Sequence, residues 1–393
     1  QDQVQDKDMV ICGGGLVGTT LALAMAPVGI STLIIDKCPR DIARSDTGKG
    51  QVFIITPPTR ALFARIGIWQ DVRHHAHDIF EIHVGSDVCA AHDDRLLHFG
   101  KRDRRGAPIA HIIEGRHLRR ALLDAVDNTR SIEMLHGVGL KARHQRADHL
   151  DIDLDNGGRV STRLLAGCDG RLSPTARSSG IGHRDRDFEQ VAIVATLSHA
   201  PIRPGAAFQF LRPDGPLSIL PLTTGTTSIM WTVRVRRAQA LMALDDRAFL
   251  DEMRAQLPAF LRRTGLVGTR FSYPLRASIA RRFVAPRTAL VGDAAHAFHP
   301  VTGQGLNFGA RDISKLTQLV YEAHIDGRDI GAQATLRAYA RARKADAALM
   351  AFATNAIIAF FCSANPALRV AQRSGFYALG AMPRIREALI RHA

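Results

Sequence analysis

Cysteine is scarce in this sequence, and its five copies show no pairing pattern. They lie far apart along the chain, at Cys12, Cys38, Cys89, Cys168 and Cys362. An odd number without a CxxC pair argues against a disulfide framework and against a structural zinc site. We therefore expect reduced thiols, most of them buried as small apolar residues.

Long apolar runs are also missing. No stretch approaches the roughly 20 apolar residues that a bilayer-spanning helix needs. The first eight residues are polar and rich in acid, so they do not resemble a signal or transit peptide. These features predict a cytoplasmic protein, and they leave open a peripheral contact at the inner face of the cytoplasmic membrane.

Aromatic residues make up only 6% of the chain, and the formal net charge is +15. The arginines are spread over the whole length and no RNA- or DNA-binding motif is present, so we expect no nucleic-acid partner. An anionic cofactor or an anionic membrane surface explains the charge better.

Histidines are frequent in one segment, but they show no metal-ligand spacing. They stand at His74, His75, His77, His83 and His92. No carboxylate pair accompanies them, and their spacing matches no closed ligand set. We interpret the segment as polar and solvated, and we expect no metal site.

The first 36 residues follow the order of a strand, a glycine turn, a helix and a second strand. Residues 8–12 are apolar, residues 16–26 are rich in leucine and alanine, and residues 31–35 are apolar and end at Asp36. This order predicts a βαβ unit. Residues 188–236 hold several strand-like runs separated by proline and glycine, which predicts a mostly antiparallel sheet.

Other segments have clear local signals. The sequence predicts helices over 57–69, 115–127, 245–264 and from about 311 to the end, a buried strand over 288–292, and a hairpin over 150–165 around Asn156-Gly157-Gly158.

The glycine turn is the first motif with chemical meaning. Gly13, Gly15 and Gly18 satisfy GxGxxG, and Asp36 stands 23 residues after the first of them. Glycines permit a tight turn and close approach of the backbone to a pyrophosphate, while the helix start supplies N–H groups. An acid at this spacing suits a ribose hydroxyl, so the unit predicts dinucleotide binding.

Two further motifs each follow an apolar strand. In the first, residues 164–171 run into Asp169-Gly170, followed by a Ser-Pro helix start near Arg177. In the second, residues 289–292 run into Asp293, and a loop with Pro300 and two glycines opens a helix near Leu306. Asp293 suits sugar-alcohol hydroxyls, and the N–H groups at that helix start can face a developing anion. Each motif alone is also compatible with an ordinary turn.

Together, the three motifs resemble those of the single-component FAD-dependent aromatic hydroxylases, the class of p-hydroxybenzoate hydroxylase. Within that class, residues 292–307, 59–69 and 384–393 are most similar to the polyprenylphenol hydroxylases of ubiquinone biosynthesis. The resemblance spans nearly the whole chain. It implies a monooxygenase that hydroxylates a prenylated phenol, with FAD bound tightly, NAD(P)H as cosubstrate and O₂ as the oxygen source.

The implied fold is α/β (α+β). A Rossmann-like FAD-binding domain of the glutathione-reductase type, formed by residues 1–75, 101–180 and 275–330, is interleaved with a mostly antiparallel β-sheet substrate domain, residues 76–100 and 181–274. Residues 331–393 form a C-terminal helical region.

The resemblance also implies residue roles. The expected cofactor-binding residues are Gly13, Gly15, Gly18, Asp36, Arg116, Asp169, Asp293 and Gly305. Pro300, Gly303, Leu306 and Asn307 are expected at the catalytic flavin ring, where Pro300 packs and the others present backbone. His296 and His299 are interpreted as loop-shaping residues.

One departure and several alternatives accompany this interpretation. The ubiquinone-type enzymes usually have an arginine where Gly50 stands here, beside Lys49. The alternatives are a related FAD-dependent epoxidase or polyprenyl reductase, and a non-catalytic flavin-binding accessory protein of a membrane complex. A biosynthetic complex or a homo-oligomer is compatible with all of them.

Residues 348–361 form an apolar segment of about 14 residues, too short to span a bilayer. It is flanked by Arg341, Arg343 and Lys344 before it and by Arg369 and Arg373 after it. Two interpretations are open: a buried helix, or a helix that lies in the membrane interface while the cations meet anionic headgroups.

Overall fold

In a computed structural model, residues 5–45, 50–85, 97–100, 106–200, 205–222 and 225–361 are described. Most of them belong to two eight-stranded sheets and the helices around these sheets.

The first sheet has the central order β17-β18-β11-β1-β2-β8, and β10 and β9 extend it from β11. Its strands are β1 (Gln5–Cys12), β2 (Thr32–Asp36), β8 (Ile132–His136), β9 (Leu140–Gln145), β10 (Leu150–Leu154), β11 (Arg159–Gly167), β17 (Val284–Ala285) and β18 (Thr288–Leu290). β1 pairs in parallel with β2, as the predicted βαβ unit requires, and its other parallel neighbour is β11. The predicted hairpin is present as antiparallel β10 and β11.

The second sheet has the order β19-β16-β12-β15-β14-β13-β5-β6. Its strands are β5 (Glu81–Gly85), β6 (Leu97–Gly100), β12 (His183–His199), β13 (Ala206–Phe210), β14 (Leu217–Pro221), β15 (Thr226–Arg234), β16 (Thr264–Ala280) and β19 (His296–Ala297). Among the described strands of this sheet, only β5 and β13 pair in parallel, so the expected mostly antiparallel sheet is confirmed. A small third sheet consists of β3 (Val52–Ile55), β7 (Ala110–Glu114) and β4 (His77–Ile79).

The helices are α1 (Leu16–Met25), α2 (Arg40–Arg44), α3 (Pro57–Arg65), α4 (Trp69–Val72), α5 (Gly115–Asp127), α6 (Pro174–Ser178), α7 (Val235–Ala243), α8 (Asp246–Arg254), α9 (Gly305–Ile325) and α10 (Gln333–Phe361). Helices α1, α5 and α9 cover one face of the first sheet and form the largest apolar core with it. The amphipathic α7 and α8 bury one face of the second sheet.

The predicted helix over 245–264 is partly wrong. Asp245 caps α8 by accepting a hydrogen bond from the Ala248 N–H at 2.8 Å, but the helix ends at Arg254. Pro258 follows, and proline has no N–H to continue a helical ladder. The chain then forms one 3₁₀ turn and enters β16 at Thr264. The predicted C-terminal helical pattern is confirmed as far as Phe361, and residues 362–393 lie outside the described residues.

Candidate functional site

The glycine turn lies between β1 and α1, and its three glycines have different surroundings. Gly13 has φ +102°, and a Cβ there would collide with the backbone of Cys168 and Asp169. A Cβ on Gly18 would collide with the carbonyl oxygen of Gly13. A Cβ on Gly15 would meet nothing within 4 Å. Two glycines therefore close the turn, and the third leaves the helix start open to a ligand.

Asp36 ends β2 beside this turn. Its carboxylate accepts hydrogen bonds from the Gly14 N–H and, at 2.6 Å, from the Cys38 N–H. These contacts fix the carboxylate next to the turn, where each oxygen retains a lone pair for a sugar hydroxyl.

The turn after β18 places Asp293 against the same region. A Cβ on Gly292 would lie 3.1 Å from the Val17 side chain of α1, so the two turns are in contact. The Asp293 side chain is accessible to solvent, yet protein atoms surround it closely. This loss of hydration raises its pKa, which the nearby Asp312 raises further and His296 and Arg171 lower. Among the described residues, no group donates a hydrogen bond to its carboxylate.

Behind Asp293 lies a cluster that the sequence interpretation missed. The buried Asp312 of α9 accepts hydrogen bonds from the Gly292 N–H at 2.9 Å, from His296 Nε2 at 2.6 Å and from Arg343 Nε at 2.6 Å. Arg343 of α10 is only 4% exposed, so its expected role as a cation for membrane headgroups is wrong. The sequence did contain a signal for this cluster: Asp312 lies on the buried stripe of α9, where a charged side chain needs partners.

The expected flavin loop joins β19 to α9. A Cβ on Gly303 would lie 2.7 Å from the Ile54 side chain, whereas a Cβ on Gly305 would meet nothing within 4 Å. Gln304 provides no side-chain cap to α9, so the N–H groups of its first turn face outward without a helical acceptor. Such a helix start stabilises negative charge.

Asn307 and Leu306 are in that first turn. The Asn307 side chain accepts from Thr56 Oγ1 at 3.1 Å and Thr59 Oγ1 at 2.8 Å, and donates to the Ile54 carbonyl at 2.8 Å. The side chain therefore fastens α9 to β3 and α3, and Asn307 can offer a ligand only its backbone.

His299 shapes the loop beside Pro300. Its Nδ1 accepts the Val301 N–H at 3.1 Å, and its Nε2 lies 3.3 Å from Gln190 Oε1. Burial, with a smaller effect of Arg186, lowers the pKa of His299 to about 4. The imidazole is therefore neutral at neutral pH.

Asp169 and Arg116 have protein partners. The Asp169 carboxylate accepts from Ser173 Oγ, from the Thr175 N–H at 2.8 Å and from Thr175 Oγ1 at 2.7 Å, so it braces the start of α6. Its backbone packs against Gly13. Arg116 lies in the first turn of α5 and bonds to Glu114 at 3.1 Å, with 43% of its side chain exposed.

Gly50 has a conformation that favours glycine. Its φ is +60°, and a Cβ there would lie 3.1 Å from the Phe271 ring and 3.5 Å from Val194. An arginine at this position would be strained and would press on the second sheet. Lys49 lies outside the described residues.

The central part of the second sheet presents a face of neutral side chains toward the flavin loop, whereas Arg234 of β15 and Arg184 and Arg186 of β12 lie toward the ends of the same face. Successive side chains of a strand point to opposite faces of the sheet. Since Ile193, Ile229 and Ile219 lie in the core under α7 and α8, the residues next to each of them in sequence point to the other face. In β5 and β12–β16, the described neutral residues of this central part include Ile82, Val84, Gln190, Ala192, Val194, Thr196, Ala207, Gln209, Ser218, Leu220, Ser228, Met230, Thr232, Phe271 and Tyr273. Gln209 Nε2 donates to the Val301 carbonyl at 2.6 Å, which joins this face to the loop.

The histidine segment is less solvated than expected. His83 is 5% exposed and contacts Glu81 at 3.0 Å, so its interpretation as a solvated residue is wrong. Within the part of the chain that the structure describes, no group of three or more His, Cys, Asp or Glu residues has a metal-binding arrangement. His92 lies outside that part.

These observations fit FAD. The open faces of Gly15 and Gly305, the uncapped start of α9 and the accessible carboxylate of Asp293 lie on elements in mutual contact. Helix starts suit a pyrophosphate and a reduced flavin ring, and a carboxylate suits sugar-alcohol hydroxyls.

Comparison with known proteins also supports FAD binding. The sequence profile of the family described as FAD binding domain matches residues 6–353. The chain is 34% identical over 389 residues to a protein named ubiquinone hydroxylase UbiL from Rhodospirillum rubrum, covering 98% of this chain and 89% of the relative. It is 26% identical to 3-demethoxyubiquinol 3-hydroxylase of Escherichia coli, covering 95% of each chain. The solved structure of p-nitrophenol 4-monooxygenase PnpA from Pseudomonas putida superimposes with a TM-score of 0.81 at 18% identity, covering 98% of this chain and 97% of that one.

The fold and the site thus define an FAD-dependent monooxygenase, which confirms the expected class, fold and cofactor. The chain belongs to the FAD binding domain family.

Proposed function

We propose that this protein hydroxylates the aromatic ring of a prenylated phenol in ubiquinone biosynthesis, with NAD(P)H as reductant and O₂ as oxygen source. The observation that carries the proposal is the neutral central part of the sheet face, which Gln209 joins to the flavin loop, with the arginines of that face toward its ends. An aromatic acid would need a cation at its carboxylate, whereas a lipid-tailed phenol needs apolar contact and a few neutral hydrogen-bonding groups. The named activities of the relatives support the same substrate class.

FAD, when bound, supplies the redox chemistry that activates O₂. In this proposal the Gly13, Gly15 and Gly18 turn holds the pyrophosphate, Asp36 the adenosine ribose and Asp293 the ribityl chain. The N–H groups of Gly305, Leu306 and Asn307 stabilise negative charge on the flavin ring.

The remaining residues position the ring and its neighbours. Pro300 and Gly303 set the loop along the flavin ring, and the sheet face excludes water there. Asp169 supports the glycine turn through its backbone, and we propose that Arg116 lies near the FAD phosphates.

The test is turnover by the purified protein with a matched pair of substrates. A phenol with a short prenyl tail should stimulate NAD(P)H oxidation, and under ¹⁸O₂ its product should gain one labelled oxygen atom. The untailed p-hydroxybenzoate is the control and should stimulate little. Preference for the acid would overturn the substrate class.

The same assay separates the rival activities. Labelled oxygen in an alkene-derived epoxide would indicate an epoxidase, and saturation of the tail without label would indicate a reductase. If FAD stays bound but no phenol stimulates NAD(P)H oxidation, the result would favour a flavin-binding accessory protein.

We also propose that α10 contacts the membrane in which such a substrate dissolves. One outward stripe of the helix is apolar over residues 345–359: Leu349 is 67% exposed and Phe352 72% exposed, with exposed alanines along the same stripe. Asp346 lies beside this stripe, 51% exposed and paired with Arg343. Arg341 and Lys344 are exposed just before this stripe. Among the described residues, no helix is long and apolar enough to cross a bilayer. The contact is therefore proposed as interfacial.

A further inference from the structure

The buried carboxylate of Asp312 connects three separate elements behind Asp293. It is 0% exposed, and its donors are the backbone N–H of Gly292, Nε2 of His296 and Nε of Arg343. A carboxylate oxygen only accepts hydrogen bonds, so the His296 hydrogen must be on Nε2. Two of the donors bracket Asp293 in sequence, one residue before it and three residues after it.

The surroundings of this cluster exclude water. The His296 ring stacks on Phe298 at 5.3 Å between centroids and meets Phe308 edge-on at 4.8 Å. The Arg343 guanidinium lies over the Phe308 ring at 4.6 Å. In an apolar enclosure, charge-assisted hydrogen bonds are strong and directional, and loss of one partner leaves an uncompensated group.

We propose that Asp312 is a positioning residue that sets the Asp293 carboxylate for FAD, acting through the Gly292 N–H and through His296, while Arg343 holds Asp312 from α10. Asp312 is fully buried whereas Asp293 is accessible to solvent, so Asp312 acts without touching the cofactor. The inference rests on the placement of FAD in the proposed function, but it does not depend on which substrate is hydroxylated.

The experiment is a double-mutant cycle on FAD affinity, measured by flavin fluorescence on the full chain. Asp312→Asn should weaken FAD binding about tenfold or more, and Asp293→Asn should weaken it at least as much. If Asp312 acts through Asp293, the double variant should bind FAD no more weakly than Asp293→Asn alone.

A matched control removes another carboxylate that is paired with a mostly buried arginine. Asp329 bonds Arg287 through both of its oxygens, far from the glycine turn, and Arg287 is 9% exposed. Asp329→Asn should lower the melting temperature but change FAD affinity by less than about twofold. Full additivity of Asp312→Asn with Asp293→Asn, or an unchanged affinity in Asp312→Asn, would overturn the inference.

A second pair of variants keeps the test decisive if Asp312→Asn does not fold. His296→Gln retains an N–H donor near the Nε2 position, and His296→Phe retains the ring but removes the donor. The inference expects Gln to preserve FAD affinity and Phe to lose it, and equal affinities would contradict it. Because the readout is flavin binding, a failure of hydroxylation would contradict only the proposed function.

Discussion

Asp293 and Asp312 lie at the same backbone turn, and their surroundings shift their pKa values in opposite directions. Burial would raise the pKa of Asp312, but His296 and Arg343 outweigh it and hold that pKa below its ordinary value. No described residue donates a hydrogen bond to Asp293, and desolvation raises its pKa. The turn therefore keeps one compensated carboxylate inside and one uncompensated carboxylate facing the site, where a ligand hydroxyl can satisfy it.

This difference predicts that Asp293 lowers the stability of the FAD-free protein while it contributes to FAD binding. A carboxyl whose pKa is raised in the folded state loses stability as pH rises above its unfolded pKa of 3.8. Asp293→Asn should therefore melt higher than the wild type when both lack FAD at pH 7, and the gain should shrink toward pH 3. The same variant and Asp293→Ala should lose most of the yellow flavin. A lower melting temperature of FAD-free Asp293→Asn at pH 7 would contradict the prediction.

The glycine turn allows a prediction with an internal control. Gly15→Val adds a branched side chain into open space, so the fold should survive while FAD affinity falls by about a hundredfold or more. Gly18→Val would collide with Gly13 and should fail to fold. Circular dichroism melting and flavin absorbance separate the two outcomes. Unchanged flavin content in Gly15→Val would mean that the nucleotide lies elsewhere.

Local signals made much of this architecture predictable. Helix α5 has the predicted bounds 115–127 because local signals define it: its apolar residues recur with the period of a helix between Gly115 and Asp127. The glycine turn was likewise readable, because a strand, three glycines and a helix are consecutive. The domain boundaries and residue roles toward FAD stay predictions.

Contacts between distant residues were not predictable in the same way. Asp312 and Arg343 are 31 residues apart and lie on different helices, so no local pattern pairs them. Arg343 resembled a surface cation because its sequence neighbours are basic, yet the helix turns it inward. Asn307 was expected to present its backbone to the flavin, which stays a prediction, whereas the attachment of its side chain to β3 was not predicted.

His299 gives a pH-dependent prediction. Its pKa falls from 6.5 to about 4 in the folded state, so the unfolded chain binds a proton more readily and stability declines as pH falls from 6.5 toward 4. The difference corresponds to about 3 kcal/mol at most. His299→Gln should flatten the dependence of the melting temperature on pH over this window. An unchanged pH profile in His299→Gln would show that the imidazole is not held neutral.

Helix α10 gives the prediction about the membrane. Leu349→Glu with Phe352→Glu places two carboxylates on the exposed apolar stripe, where they would meet both hydrocarbon and anionic headgroups. Wild-type protein should float with anionic liposomes at low salt, and the double variant should stay in the soluble fraction while it retains its flavin. Exposed cations near such a surface contribute on the order of 1 kcal/mol each, so flotation should weaken as salt rises. Ile325→Glu is the matched control, because Ile325 is 61% exposed on α9, outside the stripe, and its variant should still float. If the wild type never floats at low salt, the helix does not bind the membrane, and a partner protein must deliver the lipid substrate.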